Sequence, residues 1–363
     1  MKILHVVEDY SIESGGLRTV IKNLNFYLNK GSFSSYILSS KKEKEDNIFL
    51  VKTNKPWLYS REWKAKIISL NDEYKFDLIH IHGVWTYPQY ISAKFCVENE
   101  IPFIVSAHGM YEPWLWEKGT VKKKLYFNIL TKKLFKKASF IHAITPSEKD
   151  NLALLFNKKD VVEIPNLITK TSFTLNTLTG SNDKYILYLG RLDEKKGIDI
   201  LLKSFSKIKN KNYTIKIAGQ INNYKKELNL LIDKLGISKR VTFLGLVSGN
   251  KKIELIRNAF VLVAPSHSEV IGMVNLEGAI LKTPVITTHQ TGLSPLWNEN
   301  GGKLINPIEI ELENALNEVL SWSDFERDEN GEKLHNFVIE NYSWAKRFKD
   351  WNHLYNSSIN KNK

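Results

Sequence analysis

Phe260 to Thr288 read FVLVAPSHSEVIGMVNLEGAILKTPVITT, and this stretch decides the fold. Phe260 to Ala264 form an apolar run of strand length, and Pro265 opens a polar turn. From about Gly272 apolar residues recur at helical spacing until Pro284 opens a second buried run. The order strand, loop, helix, strand builds parallel sheets, whose ligands lie outside the carboxyl ends of the strands. Two acids occupy that rim, Glu269 in the loop and Glu277 in the second turn of the helix. The helix start at Gly272, Met273 and Val274 offers free N–H groups and a positive dipole end to an anion, while a carboxylate accepts hydrogen bonds from sugar hydroxyls. Acids near a helix start are also favoured by the dipole alone, so the neighbouring residues decide. Together they describe a pocket for a phosphate-linked sugar or nucleotide.

The spacing of Glu269 and Glu277, with Pro265-Ser266 before and Pro284-Val285-Ile286 after, resembles the E-x7-E signature of the retaining glycosyltransferases of family 4, which have the GT-B fold. The resemblance implies that Glu269 lies beside the donor sugar and that Glu277 binds the nucleotide ribose. Ile271, Gly278 and Lys282 stand where the family usually has Phe, Ala and Gly.

Upstream, Tyr185 to Gly190 read as a strand, and Arg191 to Gly197 form the loop before a helix from about Ile198 to Ile208. An arginine and a lysine at a strand end can neutralise a diphosphate, the arginine as a fork and the lysine as a point charge. Gly190 to Gly197, GRLDEKKG, closely resembles the family's donor-phosphate loop, which implies that Arg191 and Lys196 stabilise the leaving diphosphate; Lys195 reads as solvated. Gly245, ending the strand from Val241, is expected near the base. Thr291-Gly292-Leu293 is expected to begin a helix, with Gly292 and Leu293 touching diphosphate.

In the N-terminal half a first strand, Ile3 to Val7, is followed by Gly15-Gly16 and a helical pattern from Leu17 to Leu28. A glycine pair lets backbone approach a ligand closely, and the resemblance implies that Gly15 and Gly16 lie against the donor diphosphate or the acceptor. Two further strands end in His82-Gly83 and His108-Gly109. The segment SAHGMYEPW, Ser106 to Trp114, resembles the strand-end His-Gly motif of bacterial polysaccharide transferases, implying that His108 meets the donor sugar at the mouth of a cleft. Tyr111 and Trp114 are then expected on the acceptor side. No metal is expected: the family is metal-independent, no Asp-x-Asp stands at a strand end, and His80, His82 and His108 are not read as ligands.

Lys118 to Lys137, KGTVKKKLYFNILTKKLFKK, is the most basic stretch. Leu125, Phe127, Ile129, Leu130, Leu134 and Phe135 interleave with lysines at helical spacing, so one side is expected in the core and the cationic face against anionic lipid headgroups. A formal net charge of +13 calls for an acidic partner without choosing among lipid, nucleic acid and diphosphate. A single cysteine, Cys96, precludes an internal disulfide, and no apolar run reaches the length of a membrane span. Met1 to Val7 runs at once into Glu8 and Asp9, so no signal peptide is expected.

The expected architecture is α/β: GT-B, two Rossmann-like domains with parallel sheets facing a central cleft. The boundaries are 1–168 for an acceptor domain, 169–184 for a linker rich in Thr, Ser and Asn, 185–342 for the nucleotide-sugar domain, and 343–363 for a helix crossing back. The implied activity is retaining transfer of a hexose-type sugar from a nucleotide-diphosphate donor, with no cofactor. The acceptor is a hydroxyl of a bacterial surface glycan or polyprenyl-diphosphate-linked glycan, and the place is cytoplasmic, at the inner face of the membrane. A non-hydrolysing nucleotide-sugar epimerase shares the architecture and is the alternative. Nucleic-acid binding rests on charge alone, since no recognition motif supports it.

Overall fold

A computed structural model of the chain describes residues 1–11, 14–41, 47–112, 116, 120–169 and 184–361. It divides into two compact units, Met1–Leu167 with Arg347–Lys363, and Ile168–Lys346.

The first unit opens with β1 (Lys2–Val6), α1 (Gly16–Lys30), β2 (Ser34–Ser39) and β3 (Ile48–Leu50). There follow α2 (Glu62–Tyr74), β4 (Leu78–His82), α3 (Tyr87–Glu98) and β5 (Phe103–Ser106). Then come α4 (Thr120–Tyr126), a π turn (Phe127–Thr131), α5 (Lys132–Phe135), β6 (Phe140–Ala143), α6 (Pro146–Phe156) and β7 (Val161–Glu163). The strands form one sheet in the order β3-β2-β1-β4-β5-β6-β7, and every pairing is parallel. β4 is buried along its whole length, as both faces of a parallel sheet are covered. Thr145 caps α6: its side chain accepts from the Glu148 N–H.

The second unit carries β8 (Tyr185–Leu189), α7 (Ile198–Lys207), β9 (Thr214–Ala218), α8 (Tyr224–Lys234) and β10 (Val241–Gly245). It continues with α9 (Gly249–Arg257), β11 (Val261–Ala264), α10 (Met273–Ile280) and β12 (Val285–Thr288). β13 (Lys303–Ile305), α11 (Glu309–Val319) and α12 (Asp324–Tyr342) complete it. Its sheet runs β10-β9-β8-β11-β12-β13, again parallel. The last helix, α13 (Trp344–Asn360), starts in the second unit and ends in the first.

In each sheet the strand order reverses once, between β1 and β4 and between β8 and β11. At such a switch point the adjacent loops part and leave a crevice at the carboxyl edge. In the second unit those two loops are the ones carrying Arg191 and Lys196, after β8, and Glu269, after β11.

The family's usual residues at two positions bear on local packing. A Cβ built on Gly278 meets the Val285 side chain at 2.7 Å, so a residue smaller than Ala lets α10 sit against β12. Lys282, where a glycine is usual, sits at φ 62 in the left-handed region, a conformation that disfavours a side chain by roughly 1 kcal/mol.

Candidate functional site

The loops after β8 and β11 are locked together. The backbone N–H of His267 donates to the Lys195 carbonyl at 2.8 Å, and Ile271 N–H ties the β11 loop in turn to the loop after β12, donating to the Thr291 carbonyl at 2.9 Å. Gly197 sits at φ 67, and a Cβ there would lie 2.1 Å from the Pro265 carbonyl oxygen, so glycine is what lets the loops touch. Ile271 is held at φ 38 with its side chain buried, a strained posture for a β-branched residue.

Across this junction the Lys196 ammonium pairs with the Glu269 carboxylate, and both groups remain partly exposed. Arg191 is exposed at the same strand end, with its carbonyl accepting from the Tyr188 hydroxyl at 2.8 Å. Glu277, in the second turn of α10, is paired with Lys252 of α9, whose Nζ lies 2.7 Å from both carboxylate oxygens. Each acid therefore has a lysine partner that a ligand's phosphate could draw away, freeing the carboxylate for hydroxyl groups. Lys195, read as solvated, is half-buried, and burial lowers its pKa beside the Lys196 and Arg191 charges.

The start of α10 lies in the same corner. Gly272 is its N-cap and is buried beside Glu269, while Met273 and Val274 are half-buried in the first turn. Asn275 is buried with both side-chain amide atoms lacking a hydrogen-bond partner among the described residues. Gly292 departs from expectation: at φ 68 it closes a short 3-10 turn, His289–Thr291, and begins no helix. Leu293 is buried in the core, so only its backbone could meet a ligand. Gly245 ends β10 at φ 70 with open space where a side chain would go.

In the first unit Gly15 caps α1 at φ 69, and both Gly15 and Gly16 have open space around them. His108 follows β5 in the left-handed region at φ 53, half-buried, with Gly109 next at φ 74. The buried Glu148 carboxylate holds this turn, accepting from Gly109 N–H at 2.6 Å and Ile144 N–H at 2.7 Å. Tyr111, expected on the acceptor side, is buried and packs edge-on against Trp85, Phe127 and Phe156, so it is a core residue. Trp114 lies outside the described residues.

Beneath His108 the first unit contains two histidine networks absent from the sequence reading. His142 Nε2 faces the Ile164 carbonyl at 2.8 Å, which can only accept, so His142 donates there. Its Nδ1 then accepts from the Ser106 hydroxyl at 2.8 Å, Ser106 accepts from His80 Nε2 at 2.7 Å, and His80 Nδ1 accepts from the Tyr355 hydroxyl of α13 at 2.8 Å. The second network joins His5 Nδ1 to His82 Nε2 and His82 Nδ1 to His108 Nε2, each at 2.9 Å. Burial pushes His5 and His108 down to about 3, His142 to about 4, and His80 and His82 well below the usual value, so the rings are neutral at pH 7. Ring nitrogens of His5, His80 and His82 come within 4.8 Å of one another, but apart from His5 Nε2 they are committed to hydrogen bonds.

The comparisons with known proteins agree with this architecture. Residues 175–338 match the model of glycosyl transferases group 1, and residues 14–170 match that of glycosyltransferase family 4. The chain belongs to the group 1, family 4 glycosyltransferases. An uncharacterized glycosyltransferase of Methanocaldococcus jannaschii is 27% identical over 311 residues, covering 77% of this chain and 75% of that one. The O-antigen chain mannosyltransferase RfbU of Salmonella typhimurium is 27% identical over 190 residues, 51% of this chain and 52% of its own. In fold, the chain is similar to Anabaena HepE, crystallised with UDP and glucose, at a TM-score of 0.79 and 18% identity, covering 98% and 100% of the two chains. The fold is thus GT-B, and the chain is a glycosyltransferase.

Proposed function

We propose that this glycosyltransferase is retaining and metal-independent, and that it moves a hexose-type sugar from a nucleoside diphosphate to a hydroxyl of a bacterial surface glycan or its polyprenyl-diphosphate-linked precursor. The observation that carries the proposal is the meeting of Lys196 and Glu269 on the two loops that flank the switch point, with Arg191 exposed beside them. Arg191 and Lys196 take the diphosphate and stabilise the charge that develops as the bond from the sugar carbon to the phosphate oxygen breaks. The acceptor oxygen bonds to that carbon on the same face, and its proton passes to the departing phosphate oxygen. In the second unit Glu269 holds the sugar, Glu277 the ribose, and the free N–H groups of α10 the phosphate; in the first unit His108 is assigned a sugar contact. The O-antigen relative supports a surface glycan as the product class. The relatives are transferases, which favours transfer over epimerisation.

The test is incubation with a panel of nucleotide sugars and lipid-linked saccharides, with the product's anomeric configuration read by proton coupling. The donor's configuration in a new glycosidic bond is expected; inversion, or conversion of the donor without any acceptor, would contradict the proposal.

The basic helical stretch bears on where this happens. Val121, Leu125 and Ile129, four residues apart, are 72%, 54% and 68% exposed, while Phe127 and Phe135 are buried. Leu125 and Ile129 therefore leave the core side assigned to them, because each stands two residues from the buried Phe127 and so on the opposite face of the helix, about 200° round. An outward apolar stripe among the exposed Lys122, Lys124, Lys133, Lys136 and Lys137 fits an anionic lipid surface. No helix among the described residues is long and apolar enough to cross a membrane. The protein is expected to co-sediment with vesicles containing anionic phospholipid, and not with phosphatidylcholine alone. Leu125→Ser with Ile129→Ser is expected to weaken binding at least about tenfold. Equal binding to both vesicle types would remove this docking role.

A further inference from the structure

The two histidine networks differ in one respect. The carbonyl of Ile164 fixes the direction of the first, whereas the chain His5, His82, His108 contains only imidazoles, each able to donate or accept. Three neutral rings in series have two self-consistent arrangements. In one, His5 donates from Nδ1 to His82, His82 donates from Nδ1 to His108, and His108 carries its proton on Nδ1. In the other every bond is reversed, and His108 carries its proton on Nε2.

The far end of the chain distinguishes them. His5 Nε2 is buried with no hydrogen-bond partner among the described residues. The first arrangement leaves a lone pair there, and the second leaves an N–H. A buried N–H without an acceptor is the rarer outcome in folded proteins, because the full desolvation penalty of the donor stays uncompensated. The strand order enforces the chain, since His5 lies on β1, His82 at the end of β4 and His108 just beyond β5, all neighbours in the sheet. The ring planes of His5 and His82 stack with centroids 5.2 Å apart, as do those of His82 and His108, which leaves little freedom for one ring to flip alone.

We propose that His5 and His82 are positioning residues that hold His108 in its Nδ1–H tautomer, so that the nitrogen His108 leaves outside the chain is a hydrogen-bond donor. A donor at this position selects an oxygen acceptor on the ligand, a sugar hydroxyl oxygen or a phosphate oxygen, and disfavours an N–H group. This ligand side rests on the reading of His108 as a contact of the transferred sugar; the tautomer does not.

The test uses ligand-free full-length protein labelled with 15N in its histidine rings. Two-bond proton-nitrogen correlations report which nitrogen of each ring is protonated, and His108 is identified as the ring lost in His108→Gln. The wild type is expected to show His108 protonated on Nδ1, and His82→Phe to move that proton to Nε2 or to a mixture. His108 protonated on Nε2 in the wild type would overturn the proposal, and so would the same tautomer in the wild type and in His82→Phe. Should His82→Phe fail to fold, the wild-type spectrum decides alone. With transferase activity in hand, His82→Phe is expected to raise KM for the nucleotide sugar about fivefold, the loss of roughly one hydrogen bond, with Kd for the bare nucleoside diphosphate unchanged. An unchanged KM would overturn the ligand side, whatever the spectra show.

Discussion

Lys196→Ala is expected to lower kcat about 100- to 1,000-fold while changing the KM for the nucleotide sugar far less. The ammonium sits where the loop after β8 meets the loop after β11, paired with Glu269 and still open to solvent on one side. On the proposed mechanism, charge builds on the phosphate oxygen only as the glycosidic bond stretches. A positive group fixed nearby therefore acts more on the transition state than on the ground state. A purely structural ion pair makes a different forecast. Partly exposed pairs contribute roughly 0 to 1 kcal/mol, so the melting temperature would fall slightly and turnover would stay near that of the wild type. Steady-state kinetics with a melting curve on the same preparation separates the two, and unchanged turnover would remove Lys196 from the chemistry.

Replacing Gly197 by alanine is expected to be the most damaging single-methyl change in the second unit's site. The residue sits at φ 67, where an L side chain is disfavoured by roughly 1 to 2 kcal/mol, and the added Cβ would stand 2.1 Å from the Pro265 carbonyl oxygen. Neither partner can swing aside, because both are main chain. The loops after β8 and β11 must then separate, and the hydrogen bond from His267 N–H to the Lys195 carbonyl is lost with them. A destabilisation of about 3 kcal/mol or more follows, lowering the unit's melting transition by roughly 6 to 12 °C. Calorimetry checks this, and an unshifted transition would mean that the loops have room to spare.

Much of the fold was legible from local signals. Apolar runs of strand length alternate with helical periodicity, and Pro265 closes one such run while Pro284 opens the next. The loop residues Arg191, Lys196 and Glu269 stand out because a strand end is where a ligand is met. Other features depend on tertiary approach and leave no trace at short range. Lys252 gives no signal of its own; only the packing of α9 beside α10 brings it to Glu277. Tyr111 looked like a loop aromatic, yet four rings close over it. Leu125 and Ile129 were grouped with Phe127 and Phe135 on one apolar side, yet each stands two residues from Phe127 and so faces outward. The Gly292 motif resembles a helix start, but its left-handed backbone closes a turn. His5, His82 and His142 are scattered through the sequence, and the order β1-β4-β5-β6 is what collects them. Such networks become visible in a sequence only once the sheet order is known.

The claim on which the rest depends is that the second unit binds a nucleoside diphosphate through Arg191, Lys196 and Glu277. Isothermal titration of the purified protein with UDP, GDP and ADP tests it most directly. One of the three is expected to bind at one site per chain. Glu277→Ala is expected to weaken that binding at least about tenfold, the loss of a charged hydrogen bond to ribose, and Arg191→Ala by a similar factor. Failure of all three nucleotides to bind, or binding that both substitutions leave intact, would contradict the account.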